Sequence, residues 1–265
     1  MRVACIQLSS VRDVERNLAA VKRLLTDAVS DGANLALLPE NFTCMGGSEA
    51  EKRAVAECEE CSAILNFLAE QAAHLGIAIV GGSLLLKSDG GKIRNACPVF
   101  DAKGNLLTIY DKIHLFDMDY QGESYRESAW IEPGDKPVSV SIDGFKLGLS
   151  VCYDLRFPEL YRRYTEEGCH VLCNVAAFTA VTGHAHWEIL LRARAIENQC
   201  FVLASAQVGT HADGGETWGH SMIISPWGEV MKELPEGEGF IAADLSLDSL
   251  NGVRGSMPVL QHKKL

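Results

Sequence analysis

Short apolar segments alternate with amphipathic helical segments along this chain of 265 residues. Apolar runs predict strands at Arg2–Leu8, Leu35–Leu38, Ile77–Val80, Leu147–Val151, His170–Val175 and Phe201–Ser205. Apolar residues at helical spacing predict helices over 13–31, 60–75, Phe157–Glu167 and His186–Gln199. This alternation is typical of a layered α/β fold, in which helices cover the faces of a sheet. Because no linker rich in Ser, Gly or Pro divides the chain, we predict one domain over residues 1–265.

Two segments, about half a chain apart, have the pattern of a β-hairpin. The first joins Cys97–Phe100 to Leu106–Tyr110, and the second joins Ser221–Ile224 to Glu229–Met231. In both, the turn ends in glycine and lies between apolar runs, which favours a tight reversal of the chain. Their similarity suggests that the sheet is duplicated.

Acidic residues outnumber basic ones, with 35 Asp and Glu against 24 Lys and Arg. A nucleic-acid-binding surface needs an excess of basic side chains, so this balance argues against such a partner. No apolar stretch approaches the roughly 18–20 residues that span a bilayer. The N-terminal segment also lacks the apolar core of a secretory signal. We therefore expect a cytoplasmic protein that binds neither nucleic acid nor membranes.

The nine cysteines are odd in number and are spread over the whole chain. A secreted disulfide framework is normally shorter, denser in cysteine and even in count, so we expect reduced thiols. Most of them should be small buried apolar residues. Cys58 and Cys61 have the spacing of a redox motif, but their acidic neighbours disfavour a thiolate. Cys169 and Cys173 lack the further ligands that a zinc site needs.

One cysteine, Cys152, stands at the C-terminal end of a predicted strand, just before a turn and a helix. Helix amides near such a position lower the pKa of a thiol and can stabilise an oxyanion. Cys152 is therefore a candidate nucleophile, and the first cysteine expected to react with an alkylating agent. The alternative is a buried cysteine that only ends the strand.

Two other predicted strand ends carry ionisable residues. Glu40 follows Pro39 at the end of one strand, and Lys112 follows the first hairpin. In layered α/β folds, ligands bind beyond the carboxyl ends of strands, so these groups and Cys152 form a candidate cluster. Each charge taken alone is better explained as a surface residue at the end of an element.

The segments around these three residues resemble, in order and spacing, the motifs of the nitrilase superfamily of carbon–nitrogen hydrolases. The motifs are Leu38-Pro39-Glu40, Asp111–Leu115 and Val151–Glu159. The resemblance implies a four-layer αββα sandwich and a Glu40–Lys112–Cys152 triad, with Glu127 as a second glutamate. It also implies a reaction without metal or other cofactor. Subunits of this superfamily pair through outer helices, here Phe157–Glu167 and His186–Gln199, so a homodimer or larger even homo-oligomer is expected.

Within the superfamily, the chain most resembles amidases that act on ω-amides and deaminated glutathione. The segments concerned are Thr182–Gln199, Gly219–Met222, Pro226–Gly228 and Pro258–His262. His184, where this branch usually has proline, and the loop Phe116–Tyr125 depart from its pattern. The resemblance implies an amidase that converts the terminal carboxamide of a small acid, or a deaminated-glutathione-like peptide, to a carboxylate. Acyl transfer, nitrile hydrolysis and a non-catalytic binding protein remain alternatives.

The chemistry of these groups assigns a role to each. Glu40 is the general base that activates Cys152, which forms a thioester with the substrate. Lys112 and the backbone N–H of Tyr153 hold the oxyanion. Glu127 orients Lys112 or shares the proton transfer.

Five residues are candidates for substrate binding. Arg156 carries a planar guanidinium that suits a substrate carboxylate, the alternative being an internal pair with Asp154 or Glu159. Aromatic walls and a polar group of the pocket are expected from Tyr153, Phe178, Trp187 and His186.

Overall fold

The protein is described here by a computed structural model that covers residues 1–120 and 123–264. Its strands are β1 (Arg2–Gln7), β2 (Leu35–Leu37), β3 (Ala78–Val80), β4 (Leu84–Lys87), β5 (Ile93–Phe100), β6 (Leu106–Asp111), β7 (Asp117–Tyr120), β8 (Glu123–Arg126), β9 (Ser139–Ile142), β10 (Phe145–Val151), β11 (Val171–Ala176), β12 (Phe201–Ala206), β13 (Val208–Thr210), β14 (Glu216–Trp218), β15 (Ser221–Ile224), β16 (Val230–Leu234) and β17 (Gly239–Asp244). Its helices are α1 (Val14–Ser30), α2 (Glu49–Ala54), α3 (Ala63–Leu75), α4 (Pro158–Glu166), α5 (Ala180–Asn198), α6 (Leu247–Ser256) and α7 (Val259–His262).

The two large sheets share a central arrangement of strands. The first has the order β17-β1-β2-β3-β5-β4, with β6 also paired to β5, and the second has the order β16-β15-β12-β11-β10-β9. Each contains three parallel strands, β1 to β3 in one and β10 to β12 in the other. The predicted hairpins, β5–β6 and β15–β16, each add antiparallel strands to the last of the three. The suggested duplication is therefore present in the strand order.

Alternation of side chains along the strands builds the layers. Val3 and Cys5 of β1 belong to the core between the two sheets, whereas Ala4 and Ile6 face the core under α1 and α3. Successive residues of a strand point to opposite faces, so one strand contributes to both cores. On the far side of the second sheet, α4 and α5 add Tyr164 and other large side chains. The predicted αββα sandwich is confirmed.

Helix α5 begins six residues earlier than the sequence pattern predicts. The Thr179 side chain caps it by accepting a hydrogen bond from the backbone N–H of Thr182. Gly183 belongs to its first turn, and a β-carbon there would lie 2.3 Å from the Trp218 side chain. A glycine near a helix start reads as a breaker in sequence, but here it permits close packing against β14.

Seven of the nine cysteines are buried, which confirms the prediction that most of them are. All nine are free, and the two exposed ones are Cys58 and Cys61. Cys58 precedes, and Cys61 ends, a short 3₁₀ turn, Glu59–Cys61, that lies before α3 and faces solvent.

The loop that departs from the branch pattern, Phe116–Tyr125, includes the strand pair β7–β8. Gln121 and Gly122 within that loop lie outside the described residues. Within the described chain, no helix is long and apolar enough to cross a membrane.

Candidate active site

Three strand ends bring Glu40, Lys112 and Cys152 together. Glu40 follows β2, Lys112 follows β6 and Cys152 follows β10. All three are buried, with 3%, 2% and 8% of their surface exposed. Lys112 is held to the neighbouring strand because its backbone N–H donates to the Asn95 carbonyl oxygen at 2.9 Å. The structure thus places the predicted cluster in one buried site.

The ammonium group of Lys112 lies between two carboxylates. Its Nζ is 3.0 Å from Oε1 of Glu40 and 2.8 Å from Oε2 of Glu127. Burial by itself lowers the pKa of Lys112, but the charges of Glu127 and Glu40 outweigh burial and raise this pKa well above its usual value. The side chain is therefore cationic throughout the neutral range.

Both glutamates are held at each oxygen. Glu40 accepts hydrogen bonds from Asn95 Nδ2 at 2.9 Å and from the backbone N–H of Ala177, just after β11, at 2.9 Å. Glu127 accepts a hydrogen bond from the backbone N–H of Phe116 at 2.6 Å. Neither carboxylate can turn away from Lys112 without breaking these bonds.

Cys152 has a backbone conformation that non-glycine residues seldom adopt, with φ of 47°. It opens a 3₁₀ turn, Cys152–Arg156, directly after the strand. Asn41, next to Glu40, has a similar φ of 52°. Such strained residues cluster at functional sites, where surrounding structure maintains them.

The pKa of the Cys152 thiol is raised, which corrects the expectation that helix amides lower it. Burial is the largest cause, and the Glu40 carboxylate adds to it, whereas the Lys112 ammonium acts in the opposite direction. The thiol is therefore protonated at neutral pH. A protonated thiol becomes a nucleophile only by passing its proton to a base, and the Glu40 carboxylate lies within hydrogen-bonding reach of this thiol.

Asp154 ties the nucleophile turn to the lysine segment. It is fully buried and accepts hydrogen bonds from Tyr110 Oη at 2.7 Å, Val151 N at 2.8 Å and His114 N at 3.0 Å. From the sequence, Asp154 was considered only as an ion-pair partner of Arg156. The structure shows that it does not form that pair. The sequence did carry a signal for this role, because Asp154 lies in an apolar segment two positions after a cysteine at the end of a strand.

Asn95 is a site residue that the sequence analysis did not identify. It is buried in β5, and its Nδ2 lies 2.9 Å from Oε1 of Glu40 and 3.4 Å from Oε1 of Glu127. One amide therefore contacts the same two oxygens, Oε1 of each glutamate, that Lys112 Nζ contacts at 3.0 and 3.1 Å. A second polar residue, next to Arg94 in a strand that is apolar from Ala96 onward, was the only sequence signal for it.

If the cluster is catalytic, as its resemblance implies, Asn95→Ala should lower kcat by about 10- to 100-fold. Each carboxylate would then lose a hydrogen-bond donor, which costs about 1–3 kcal/mol. Steady-state kinetics measured across pH would show the loss together with a shifted profile. Asn66→Ala, an exposed asparagine of α3, is the control. An unchanged kcat and pH profile would show that Asn95 does not position the carboxylates.

Two cavities meet at Cys152. The first, of about 200 Å³, contains Glu40, Lys112 and Glu127 and extends to Lys52 and other residues. The second carries no member of the cluster except the cysteine, and is lined by Tyr153, Arg156, Phe178 and Thr182. It adjoins a further space of about 360 Å³ that His186 borders.

Arg156 points its guanidinium into this second region. Its carbon Cζ lies 5.6 Å from the ring centroid of Tyr153 and 5.2 Å from that of Phe178. Nη1 is 3.1 Å from Nδ1 of His186. Within the described residues Arg156 forms no ion pair with a carboxylate, so the predicted alternative, a pair with Asp154 or Glu159, is wrong.

Trp187 does not line these cavities. It is fully buried, its Nε1 donates to the His220 carbonyl oxygen at 2.8 Å, and its ring packs on Phe178 at 4.8 Å. The prediction that it forms a pocket wall is corrected, because it supports that wall from behind. The spacing of aromatic residues in the sequence cannot show whether a ring lines a pocket or packs behind the residues that line it.

Across residues 1–120 and 123–264, no group of three or more His, Cys, Asp or Glu side chains is placed to hold a metal ion.

Comparison with known proteins identifies the family. The sequence model of the carbon–nitrogen hydrolases matches residues 2–254. The chain belongs to the carbon–nitrogen hydrolase family. This confirms the predicted family and makes the protein a hydrolytic enzyme of carbon–nitrogen bonds.

The relatives of this carbon–nitrogen hydrolase include proteins named as amidases. The chain is 42% identical to the deaminated glutathione amidase of Synechocystis sp., covering 98% of this chain and 97% of that protein. It is 36% identical to the omega-amidase NIT2 of Danio rerio, covering 99% and 95%. The crystal structure of Saccharomyces cerevisiae Nit3, a member of the nitrilase superfamily, superposes with a TM-score of 0.91 at 28% identity, covering 100% and 97%.

Proposed function

We propose that this enzyme is an amidase that hydrolyses the terminal carboxamide of a small acid, or a deaminated-glutathione-like amide, through a thioester on Cys152. The observation that carries the proposal is the buried contact of Lys112 with Glu40 and Glu127 beside a strand-end thiol. The names of the two similar amidases support the reaction class.

The first half of the reaction consumes the amide. Sγ of Cys152 bonds to the amide carbon while its proton passes to Glu40. Lys112 and the backbone N–H of Tyr153 stabilise the negative oxygen, and this donor pair lowers the barrier because charge develops there. The carbon–nitrogen bond then breaks, Glu40 protonates the nitrogen, and ammonia leaves.

The second half releases the acid. Glu40 takes a proton from water and the water oxygen attacks the thioester carbon. The carbon–sulfur bond then breaks, and Glu40 passes its proton to Sγ, which restores both the thiol and the carboxylate. Glu127 acts through Lys112: its two oxygens hold the ammonium and the Phe116 N–H. In this proposed mechanism, both halves of the reaction need only these groups, without a metal ion or another cofactor.

Arg156 is proposed to bind a carboxylate at the far end of the acyl chain. Its guanidinium lies between aromatic rings and pairs with no carboxylate among the described residues. Tyr153 and Phe178 form the walls beside it, and His186 holds its Nη1. An ω-amide of a dicarboxylic acid presents the required charge.

We expect Arg156→Met to raise KM for glutaramate at least about 10-fold, because the substrate carboxylate loses its half-buried charge partner. KM for butyramide, which lacks the carboxylate, should change little by comparison. Arg156→Lys restores the charge without the planar fork and should be intermediate. Equal effects on both substrates would contradict a carboxylate contact.

The reaction class is tested with a panel of amides and nitriles. Ammonia release from glutaramate and succinamate, with hydrolysis of deaminated glutathione, is expected from the wild-type enzyme. Hydroxylamine added to the assay reports acyl transfer through hydroxamate formation. Turnover of nitriles alone, or hydroxamate without free acid, would replace the amidase proposal.

A homodimer or larger even homo-oligomer, formed through α4 and α5, is also proposed. The outer surface of α5 exposes Ile189 and Ile196, with 70% and 46% of their surface accessible. Trp227 is 55% exposed in the turn whose Gly228 carbonyl oxygen accepts a hydrogen bond from Arg192 of α5. A second copy of this chain would cover this apolar face.

Light scattering after size-exclusion chromatography is expected to show an even multiple of 28.8 kDa for the wild type. Ile189→Glu should reduce that mass, because a buried unpaired charge disfavours association. Leu107→Glu, at an exposed position of β6, is the matched control. An unchanged mass in Ile189→Glu would place the interface elsewhere.

We further propose that residues 1–265 act as one catalytic domain in the cytoplasm. The family match over residues 2–254 and the core shared by the two sheets support a single unit. The nine free thiols, two of them exposed, support a reducing compartment.

A further inference from the structure

We propose that Cys58 and Cys61 form a dithiol site, which small disulfides that carry amino groups convert to an intrachain disulfide. Small thiols reverse the change. The site borders a cleft that shares no lining residue with the cavities at Cys152. Exchange at this site does not involve the residues proposed for amide hydrolysis.

The backbone brings the two sulfurs within reach of a disulfide bond. The 3₁₀ turn Glu59–Cys61 begins directly after Cys58, and the Cys61 N–H donates to the Cys58 carbonyl oxygen at 3.3 Å. A turn closed in this way holds its first and fourth Cα atoms within about 7 Å, which is also the upper limit for a disulfide. Side chains three residues apart in a 3₁₀ turn project from the same side. A bond between the two Sγ atoms therefore needs rotation of the side chains rather than a rearrangement of the backbone.

Neighbouring elements hold this turn in place. Before the turn, the Glu57 N–H donates to the Leu85 carbonyl oxygen at 3.1 Å, and the Glu57 carbonyl oxygen accepts from the Lys87 N–H at 2.8 Å. After the turn, the Ser62 hydroxyl caps α3 by accepting a hydrogen bond from the Leu65 N–H at 3.0 Å. A mixed disulfide on one cysteine is thus kept beside the other thiol, which favours ring closure over a second adduct.

Solvent reaches this pair more readily than it reaches the other thiols. Cys58 and Cys61 are exposed, whereas the other seven cysteines are buried. Cys58 borders a cleft of about 380 Å³. Binding sites for small organic molecules span about 300–1,000 Å³, so the cleft is large enough for a small disulfide beside the Cys58 sulfur.

The charged lining of the cleft selects the kind of disulfide. It is mainly acidic, with Glu59, Glu60, Asp89 and Glu132 against Lys87 and Arg94. Arg94 is already paired with Glu59 and with Asp111, which lies outside the lining. The three remaining carboxylates form no ion pair with a basic side chain in the described part of the chain. This excess of negative charge attracts a disulfide with protonated amino groups and repels one with carboxylates.

Glu60 controls the reactivity of Cys58. The Cys58 thiol donates to Oε2 of Glu60 at 2.7 Å. This bond is the largest cause of a raised pKa at Cys58, and the nearby Cys61 thiol also raises it. Because the thiolate is the attacking form, exchange is slow at neutral pH and accelerates as the pH rises. Catalytic pairs with this spacing have a lowered thiol pKa that stabilises their reduced form, so the raised pKa suits a pair that retains its disulfide.

The exchange is balanced in electrons and protons. The thiolate of one cysteine bonds to a sulfur of the small disulfide, whose own sulfur–sulfur bond breaks and releases the first small thiol. The second cysteine loses its proton and attacks the protein sulfur of this mixed disulfide, which releases the second small thiol. Both protein thiols are oxidised, the small disulfide is reduced to its thiols, and the protons of the cysteines end on those thiols.

Two small disulfides of opposite charge test the proposal on the full-length enzyme. They are cystamine, which carries amino groups, and 3,3′-dithiodipropionate, which carries carboxylates. Mass spectrometry of non-reduced tryptic digests follows the peptide Ala54–Lys87, which contains no other cysteine. We expect this peptide to lose the hydrogens of both thiols and to regain them with dithiothreitol.

The charge preference is measured from the rates of this conversion. Each rate is divided by the rate at which N-acetylcysteine reacts with the same reagent, which corrects for the leaving group. After this correction, cystamine should react at least about 10-fold faster than 3,3′-dithiodipropionate, and added salt should reduce the preference.

Variants assign the effects to single residues. Cys61→Ser should stop at a mixed disulfide on Cys58, because no second thiol displaces the small thiol. Glu60→Gln removes the charge beside Cys58, so its exchange at neutral pH should be several-fold faster. Glu132→Gln should weaken the preference for cystamine. Glu70→Gln, at an exposed position of α3, is the control and should change neither the rate nor the preference.

Each contrary outcome has a distinct meaning. A peptide that carries small-molecule adducts on both cysteines, without a bond between them, overturns the dithiol site. Oxidation of Cys152 or of another buried cysteine before this pair also overturns it. Equal corrected rates for the two reagents exclude the preference for amino groups, and an unchanged rate in Glu60→Gln removes Glu60 as the control on Cys58. None of these readouts uses ammonia release, so they are independent of the amidase proposal.

Discussion

Replacing Cys152 with alanine is expected to lower kcat for amide hydrolysis by on the order of 10⁴- to 10⁶-fold, the range found when a covalent nucleophile is removed. In the proposed mechanism, no thioester forms without Sγ, and the remaining donors only bind the substrate. The fold should persist, because the turn that begins at Cys152 is held by Asp154 through the Val151 N–H rather than by the thiol. Ammonia release and circular dichroism together measure the two effects.

The control is Cys173→Ala, which removes another buried thiol from the core between the sheets. That variant should lose some stability to the cavity it creates, yet keep its turnover. Mass spectrometry of wild-type enzyme mixed with substrate should show an acyl group on Cys152 and on no other cysteine. Full turnover by Cys152→Ala would overturn the mechanism.

Two exposed thiols affect the interpretation of alkylation experiments that aim to identify the nucleophile. Cys58 and Cys61 are accessible, whereas Cys152 is buried with a raised pKa, so labelling order alone does not identify the nucleophile. With Cys58 and Cys61 replaced by serine, loss of activity on iodoacetamide treatment should follow mass addition at Cys152.

Replacing Lys112 with methionine is expected to affect both activity and stability. Loss of one oxyanion donor lowers kcat by about 10²- to 10³-fold. Removing one partner of a buried ion pair costs about 3–5 kcal/mol, because here Glu40 and Glu127 would face each other without the intervening cation. Urea denaturation and steady-state kinetics measure the two losses.

The pH dependence of unfolding separates charge from packing. In the wild type the pKa of Lys112 is raised, so its contribution to stability is complete below the usual lysine value of about 10.4 and declines only as the pH rises through the raised value. In Lys112→Met the lost stability should partly return in acid, where protonation of one carboxylate ends the repulsion.

Lys146→Met, which removes an exposed lysine near Glu167, is the control and should lose less than about 1 kcal/mol. Lys112→Arg keeps the charge and should be more stable than the methionine variant. If Lys112→Met unfolds like the wild type at every pH, the buried carboxylates are not held by this ammonium.

Local patterns predicted a large part of the fold. The strand at Leu35–Leu38 and the helix at Phe157–Glu167 appear within one or two residues of their predicted bounds. Both hairpins form, but β5 begins four residues before its predicted start and β16 ends three residues after its predicted end. These elements depend on side-chain period and turn residues, which neighbouring positions encode. The start of α5 was missed because Gly183 is explained only by its distant contact with Trp218.

By itself, the sequence determined which chemical groups are present and, through the resemblance of its motifs, that Glu40, Lys112 and Cys152 belong to one site. The tertiary structure decided the burial, the pKa values and the contacts of these groups. Only folding buries the thiol beside a carboxylate and raises its pKa, places Asn95 between two glutamates, and moves Trp187 behind the pocket wall. The reason is physical: burial and contacts between distant segments set local electrostatics, and neither is encoded by neighbouring residues.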